Sequence, residues 1–218
     1  MEDSTSREKV LKKVRKALIH KSTQDIPDVD LESNIYNIPD EPMEILFAQK
    51  FTRLNGKFVF CESEREFASN LALLLQENKW GIPFTLEGKI KRILGDAGMS
   101  YNDNENELPE LNVGITLCEN LVARTGSMFI TSRQASGRRM PVYPNYQIVL
   151  AYTSQLVMTH KDALKQITER YNGQMPSLIS CVTGPSRTAD IEKTLVQGAH
   201  GPKEIYVFLV DDHGQVLS

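Results

Sequence analysis

The chain has 218 residues, of which 40% are hydrophobic and 24% charged, and it carries a net charge of −3. This composition is typical of a soluble globular protein whose core is large enough to fold without disulfides or metal ions. The slightly acidic balance argues against a nucleic-acid partner, because phosphate backbones are bound by clustered positive charge.

The cysteines and the N-terminus exclude several further classes. The three cysteines, Cys61, Cys118 and Cys181, form no CxxC pair. This spacing is typical of neither a zinc ribbon nor an iron–sulfur ligand run, so we expect no metal and no cofactor. No apolar run is long enough for a membrane span, and residues 1–21 are charged where a signal peptide would be apolar. We therefore expect a cytoplasmic protein.

Residues 1–40 are predicted to be an N-terminal extension made of an amphipathic helix at 4–20 and a polar linker. Apolar residues recur there at helical spacing: Val10, Leu11, Val14, Leu18 and Ile19. The basic face between them is compatible with a membrane surface, with packing on the domain, or with a second subunit. The last alternative would make the protein a homo-oligomer.

Residues 41–218 are predicted to form a single α/β domain. We expect helices at 42–55, 63–78, 87–97, 119–123, 160–171 and 187–197, and strands at 57–61, 112–117, 127–131, 146–151, 155–158, 177–182 and 203–210. Ser63 and Glu66 have the spacing of a capping box. Short apolar strands separated by helices favour a mostly parallel sheet flanked by helices on both faces.

The first candidate site is the turn Thr183-Gly184-Pro185-Ser186-Arg187, between a predicted strand and a predicted helix. Open α/β sheets bind ligands at the carboxyl ends of their strands, and a helix N-terminus favours an anion. Gly184 would allow close approach, Ser186 offers a hydroxyl, and Arg187 could clamp a carboxylate or a phosphate. Asp190 could hold Arg187 or favour the start of the helix.

The residues of this turn also fit a purely structural turn before a capped helix, so both interpretations stay open. The return turn, Gly198-Ala199-His200-Gly201-Pro202, has the same ambiguity. His200 could transfer a proton there, or it could be structural.

The second candidate site lies between residues 119 and 139. Thr125, Gly126 and Ser127 form a turn whose backbone could hold an anion. Glu119 follows a strand end and could act as a base or nucleophile, or could simply favour a helix dipole. Arg138 lies with Arg133 and Arg139 in a loop that could cover a bound acid or could be solvated.

These two regions resemble the lactate utilization protein C (LutC/YkgG) family. The runs T-G-P-S-R-T-A-D-I-E at 183–192 and G-A-H-G-P at 198–202 look like its C-terminal signature. G-I-T at 114–116 and T-G-S at 125–127 are similar to its middle portion. Arg124 stands where the family usually has an acidic residue, and Ser127 replaces its second threonine.

The resemblance implies the fold of the ribose-5-phosphate isomerase, glucosamine-6-phosphate deaminase and CoA-transferase group (NagB/RpiA/CoA-transferase-like). It also implies an accessory role in oxidising L-lactate to pyruvate beside iron–sulfur partner proteins (LutA/LutB-like). The alternative is an enzyme or sensor of that fold group, which binds a small carboxylate or phosphorylated metabolite. Whether the protein turns over a substrate is left open by the sequence.

Overall fold

The computed structural model describes residues 5–19, 40–189, 195–198 and 200–213. They belong to two compact units, Met1–Ile38 and Pro39–Ser218. In the first unit, helix α1 (Ser6–Ile19) begins after Thr5. The Thr5 hydroxyl accepts a hydrogen bond from the Glu8 N–H, and the Glu8 carboxylate accepts one from the Thr5 N–H, which stabilises the first turn.

The second unit alternates between helices and strands. Its described helices are α2 (Met43–Arg53), α3 (Glu64–Asn78), α4 (Gly88–Asp96) and α5 (His160–Arg170), with short 3-10 helices at Glu105–Glu110 and Thr153–Gln155. Its described strands are β1 (Lys57–Cys61), β2 (Val113–Leu117), β3 (Asn120–Val122), β4 (Ser127–Thr131), β5 (Tyr146–Tyr152), β6 (Leu156–Val157), β7 (Ile179–Val182), β8 (Arg187–Ala189), β9 (Leu195–Gln197) and β10 (Glu204–Val210).

The main sheet is entirely parallel and has the strand order β1-β10-β5-β2. Its strands bury alternate side chains on two faces. Ile148 and Leu150 of β5 pack in the core beneath α3 and α4, whereas Val149 and Ala151 pack in the core beneath α2. The predicted α/β class with a mostly parallel, helix-flanked sheet is confirmed.

A second sheet, which the sequence did not predict, covers the α2 side of the main sheet. Its order is β6-β3-β4-β7, and both pairs that contain β4 are antiparallel. Met128 and Ile130 of β4 face the main sheet, while Phe129 faces α5. The second sheet is thus an addition to the predicted mostly parallel sheet, and both faces of its strand β4 are buried, one against the main sheet and one against α5.

Two predicted elements are corrected by this second sheet. The predicted helix at 119–123 is the strand β3, whose three buried residues pair with β4 and of which Leu121 and Val122 also pair with β6. Tertiary pairing overrides a weak helical pattern there. The strand predicted at 177–182 is present as β7, but its apolar sequence suggested a buried strand, whereas β7 is an edge strand bonded only to β4 and its Cys181 is exposed.

The helix predicted at 187–197 is also wrong. The two ends of this stretch pair with each other as the antiparallel strands β8 and β9, with Arg187 opposite Gln197. Their backbone groups are satisfied by each other rather than along a helix. Consequently the turn at 183–187 does not precede a helix N-terminus. Asp190 lies outside the described residues.

The beginning of α3 is confirmed with one change. The Ser63 hydroxyl accepts a hydrogen bond from the Glu66 N–H at 3.2 Å, as the capping box predicts. The Glu66 carboxylate, however, accepts its bond from the Glu62 N–H at 2.7 Å rather than from Ser63. Among the described residues, we find no helix with the length and apolar character that crossing a membrane requires.

Candidate functional site

The two Thr-Gly turns of the sequence lie next to each other. We call residues 124–127 the first Thr-Gly turn and residues 183–187 the second. Strands β4 and β7 are antiparallel with Met128 opposite Val182, so the residues just beyond this pair are neighbours. The Ser127 hydroxyl lies 2.8 Å from that of Thr183 and 2.8 Å from that of Thr125. A chain of three hydroxyls therefore joins the turns.

Both turns pack against the C-terminal end of α2. Gly126 has a φ of +64°, and a Cβ there would lie 2.5 Å from the backbone nitrogen of Phe51. Gly184 has a φ of +81°, and a Cβ there would lie 2.9 Å from the carbonyl oxygen of Leu54. Only glycine combines this backbone conformation with so close an approach.

The contact with the C-terminal end of α2 changes the chemistry expected of the second turn. The Arg187 guanidinium donates a hydrogen bond to the Leu54 carbonyl at the end of α2. A helix C-terminus carries partial negative charge, so it stabilises this cation and would repel an anion. Arg187 thus satisfies a helix end in this structure, whereas the sequence suggested an anion clamp beside a helix N-terminus.

The remaining residues of the second turn connect it to the return turn. The Ser186 N–H donates to the Pro202 carbonyl at 3.0 Å, and the Ser186 carbonyl accepts from the Gly198 N–H at 3.1 Å. Pro185 is buried and His200 is exposed. The two ends of the β8–β9 hairpin are therefore fastened together by backbone bonds.

Glu119 and Arg138 lie at the other end of β4, away from the Thr-Gly turns. Glu119 is 2% exposed. Its carboxylate accepts hydrogen bonds from Thr131 at 2.7 Å and Tyr171 at 2.5 Å, and it forms an ion pair with Arg170. These three partners satisfy the hydrogen-bonding capacity of the Glu119 carboxylate. The bonds also join the end of α5 to the ends of β2 and β4. The candidate residues of the sequence therefore separate into two clusters.

A small cavity lies beside this second cluster, under the segment that follows β4. We call residues 132–140 the arginine loop. The cavity has a volume of about 200 Å³ and is lined by the loop together with Leu86 and Leu108. Arg138 and Arg139 both contribute to its wall.

The structure also shows a polar group at the carboxyl ends of the parallel strands that we did not predict. Tyr152, at the end of β5, donates a hydrogen bond to Glu64 at 2.7 Å. Lys89 lies 3.2 Å from the same carboxylate and 3.6 Å from the centre of the Tyr152 ring. Burial, followed by the bond to Glu64, raises the pKa of the Tyr152 phenol.

A second unpredicted group follows the neighbouring strand β10. Asp212 accepts hydrogen bonds from the Thr153 hydroxyl at 2.7 Å and the Ser154 N–H at 2.9 Å. Burial raises the pKa of Asp212, but hydrogen bonds from Ser154 and Thr153 outweigh it and lower the pKa overall. Tyr152 and Asp212 lie at or just after the carboxyl ends of parallel strands, and this placement in the sequence could have identified both groups.

Comparison with known proteins agrees with this architecture. The family model described as LUD domain matches residues 45–210, which include both sheets and both Thr-Gly turns. The chain belongs to the LUD-domain family. The LUD domain thus accounts for the second unit, apart from its first and last residues.

Several curated relatives of this LUD domain are named lactate utilization protein C. The protein from Shouchella clausii is 36% identical over 102 residues, which are 46% of this chain and 44% of the relative. That from Bacillus subtilis is 36% identical over 112 residues, 50% of this chain and 47% of the relative. That from Oceanobacillus iheyensis is 33% identical over 159 residues, which are 72% of this chain and 60% of the relative. The chain thus spans about half the length of the first relatives.

The fold of the LUD domain also matches a solved structure. A DUF162 family protein from Deinococcus radiodurans superposes with a TM-score of 0.60 and 16% sequence identity. The match covers 80% of this chain and 99% of that protein. At this identity the likeness establishes the fold and leaves the activity open.

Proposed function

We propose that this LUD-domain protein acts in L-lactate utilization as a cytoplasmic accessory protein. In this role it supports the oxidation of lactate to pyruvate by iron–sulfur partner proteins. The observation that carries the proposal is the 33–36% identity to relatives named lactate utilization protein C. The adjacency of the two Thr-Gly turns supports it, since the parts of the sequence that resemble this family meet at one place.

The assignment of electron transfer to the partners follows from the cysteines of this chain. An iron–sulfur cluster is usually held by four thiolates, and the chain has three cysteines. Cys61 and Cys118 are buried in separate cores, on opposite faces of the main sheet. Cys181 is exposed on β7 of the second sheet. We therefore propose a supporting role for this protein and an electron-carrying role for its partners.

Deletion of the gene is expected to slow growth on L-lactate as the sole carbon source and to leave growth on pyruvate unchanged. Growth on L-lactate depends on lactate oxidation, whereas growth on pyruvate does not. Complementation with the wild-type gene should restore growth, and a tagged copy should co-purify with iron–sulfur proteins. Unchanged lactate consumption in the deletion strain would contradict the proposal.

A second candidate function is an enzyme or sensor that binds a small carboxylate or phosphorylated metabolite at the joined Thr-Gly turns. The linked hydroxyls of Thr125, Ser127 and Thr183 favour it, because Thr183 donates to Ser127 and Ser127 to Thr125, which leaves the Thr125 hydroxyl to donate to an anionic oxygen. Against it stands the nearby C-terminus of α2, which disfavours negative charge.

This second candidate is tested by thermal shift with lactate, pyruvate, sugar phosphates and CoA esters. A ligand that binds there is expected to raise the melting temperature of the wild type, and Thr183→Ala should abolish the rise. Thr168→Ala is the control, since its hydroxyl bonds only within α5 and to Met175. A rise that persists in Thr183→Ala would place the ligand elsewhere.

A further inference from the structure

The cavity beneath the arginine loop has one polar wall and one apolar wall. Leu86 supplies the accessible part of the apolar wall, and it packs on a small buried cluster that includes Leu108 and Met140. Ser132 and Gln134 supply uncharged polar groups, and the two arginines supply the cations. A small organic acid has one charged end and one apolar end, so a site that binds it needs both a polar and an apolar wall.

The arginine loop is held in place from beneath. The Ser136 N–H and hydroxyl both donate to one oxygen of Glu87, at 3.0 and 2.6 Å, and Glu87 is only 6% exposed. The Gln134 side-chain oxygen accepts a bond from the Thr131 N–H at 3.0 Å. Bonds from buried groups fix the loop backbone, so the cavity is formed before any ligand arrives.

The two arginines of the cavity differ in their charge partners. Arg139 forms an ion pair with Glu105, so its charge is already balanced. Arg138 donates to the neutral hydroxyl of Ser177, and none of the ion pairs among the described residues includes it. A guanidinium has five N–H donors in a fork that matches a carboxylate. Arg138 therefore retains both charge and donors for a ligand.

The size of the cavity selects among anions. A volume of about 200 Å³ lies below the roughly 300–1,000 Å³ that is typical of sites for drug-sized ligands. A three-carbon hydroxy or keto acid is much smaller than such a ligand. A sugar phosphate or a CoA ester is much larger than a three-carbon acid. The cavity thus fits a short organic acid better than the other anions of the fold group.

We propose that the arginine loop binds a short-chain monocarboxylate, with the carboxylate on Arg138 and the apolar end against Leu86, next to the buried Met140. The choice of L-lactate and pyruvate as probes rests on the proposed function, whereas the site itself is inferred from charge, size and lining. The site differs from the joined Thr-Gly turns, which lie at the opposite end of β4.

The test uses the full chain with methyl-labelled methionine, titrated with L-lactate, pyruvate and, as a larger anion, ribose 5-phosphate. We expect the Met140 methyl resonance to shift saturably with the three-carbon acids and not with the sugar phosphate. Arg138→Gln should weaken binding about tenfold or more, because a charge-assisted bond is lost, and Arg138→Lys should weaken it less.

The matched control is Arg133→Gln. Arg133 belongs to the same loop, but its guanidinium lies over the Tyr171 ring, 5.7 Å from the centre, and does not line the cavity. This variant should bind as the wild type does. A Met140 signal that no three-carbon acid moves, or equal affinity in wild type and Arg138→Gln, would overturn the site.

The outcomes for this site and for the proposed function are separable. If acids bind through Arg138 but deletion leaves lactate growth unchanged, the site stands and the proposed function fails. If lactate growth requires the gene but no acid shifts Met140, the function stands and the site is wrong.

Discussion

Gly126→Ala is expected to lower the free energy of unfolding by about 3 kcal/mol or more. Two costs add at this position. The left-handed φ of +64° strains a residue with a Cβ, and that Cβ would lie 2.5 Å from the Phe51 nitrogen and 2.9 Å from its Cα. Since these are backbone atoms of α2, no side-chain rotation relieves the overlap. Denaturant unfolding followed by the fluorescence of Trp80, the single tryptophan, measures the change.

Gly98→Ala separates the two costs. Gly98 has a nearly equal φ of +68°, but nothing lies within 4 Å of the position its Cβ would take. We expect a loss of only about 1 to 2 kcal/mol, which is the cost of the left-handed backbone alone. If the two variants lose equal stability, the close packing of the first Thr-Gly turn on α2 is not as the structure shows it.

Glu119→Ala is expected to cost about 3 kcal/mol of folding free energy. The substitution leaves the hydroxyls of Thr131 and Tyr171 without their acceptor and opens space in a buried region. The figure is at the lower end for a broken buried ion pair, because the Arg170 side chain is 44% exposed and can be hydrated. Urea unfolding gives the value.

The control for Glu119→Ala is Glu105→Ala, which also breaks a carboxylate–arginine pair. Both partners of that pair, Glu105 and Arg139, are more than half exposed. Exposed pairs contribute little, so we expect a loss below about 1 kcal/mol. A similar loss in both variants would show that burial and hydroxyl bonds add nothing at Glu119, contrary to the structure.

Elements with strong local signals were predicted well. β1 spans the predicted residues 57–61, and α3 begins directly after its predicted N-cap, Ser63. An apolar run bounded by polar residues and an N-cap hydroxyl act within a few residues of chain, so the sequence alone specifies them. The same holds for α5, where Thr159 and Asp162 form a reciprocal cap.

Elements whose partners are distant in sequence were predicted badly. Residues 187–189 begin like a capped helix, yet they pair with residues 195–197 as a hairpin. β3 contains three buried residues and exists because β4 and β6 lie on either side of it. A weak local preference is worth a few tenths of a kcal/mol, and complete backbone pairing in a buried sheet outweighs it.

The sequence by itself determined the α/β class, the parallel main sheet and the two Thr-Gly turns, since each depends on periodicity or on glycine in a short segment. Only the tertiary structure decided where these turns lie and which groups they contact. It placed them together through the antiparallel β4–β7 pair and set them against the C-terminus of α2, where Arg187 donates a hydrogen bond to the Leu54 carbonyl. It also separated Arg138 from them by the length of β4. Contacts of this kind depend on register between distant strands, which local patterns do not encode.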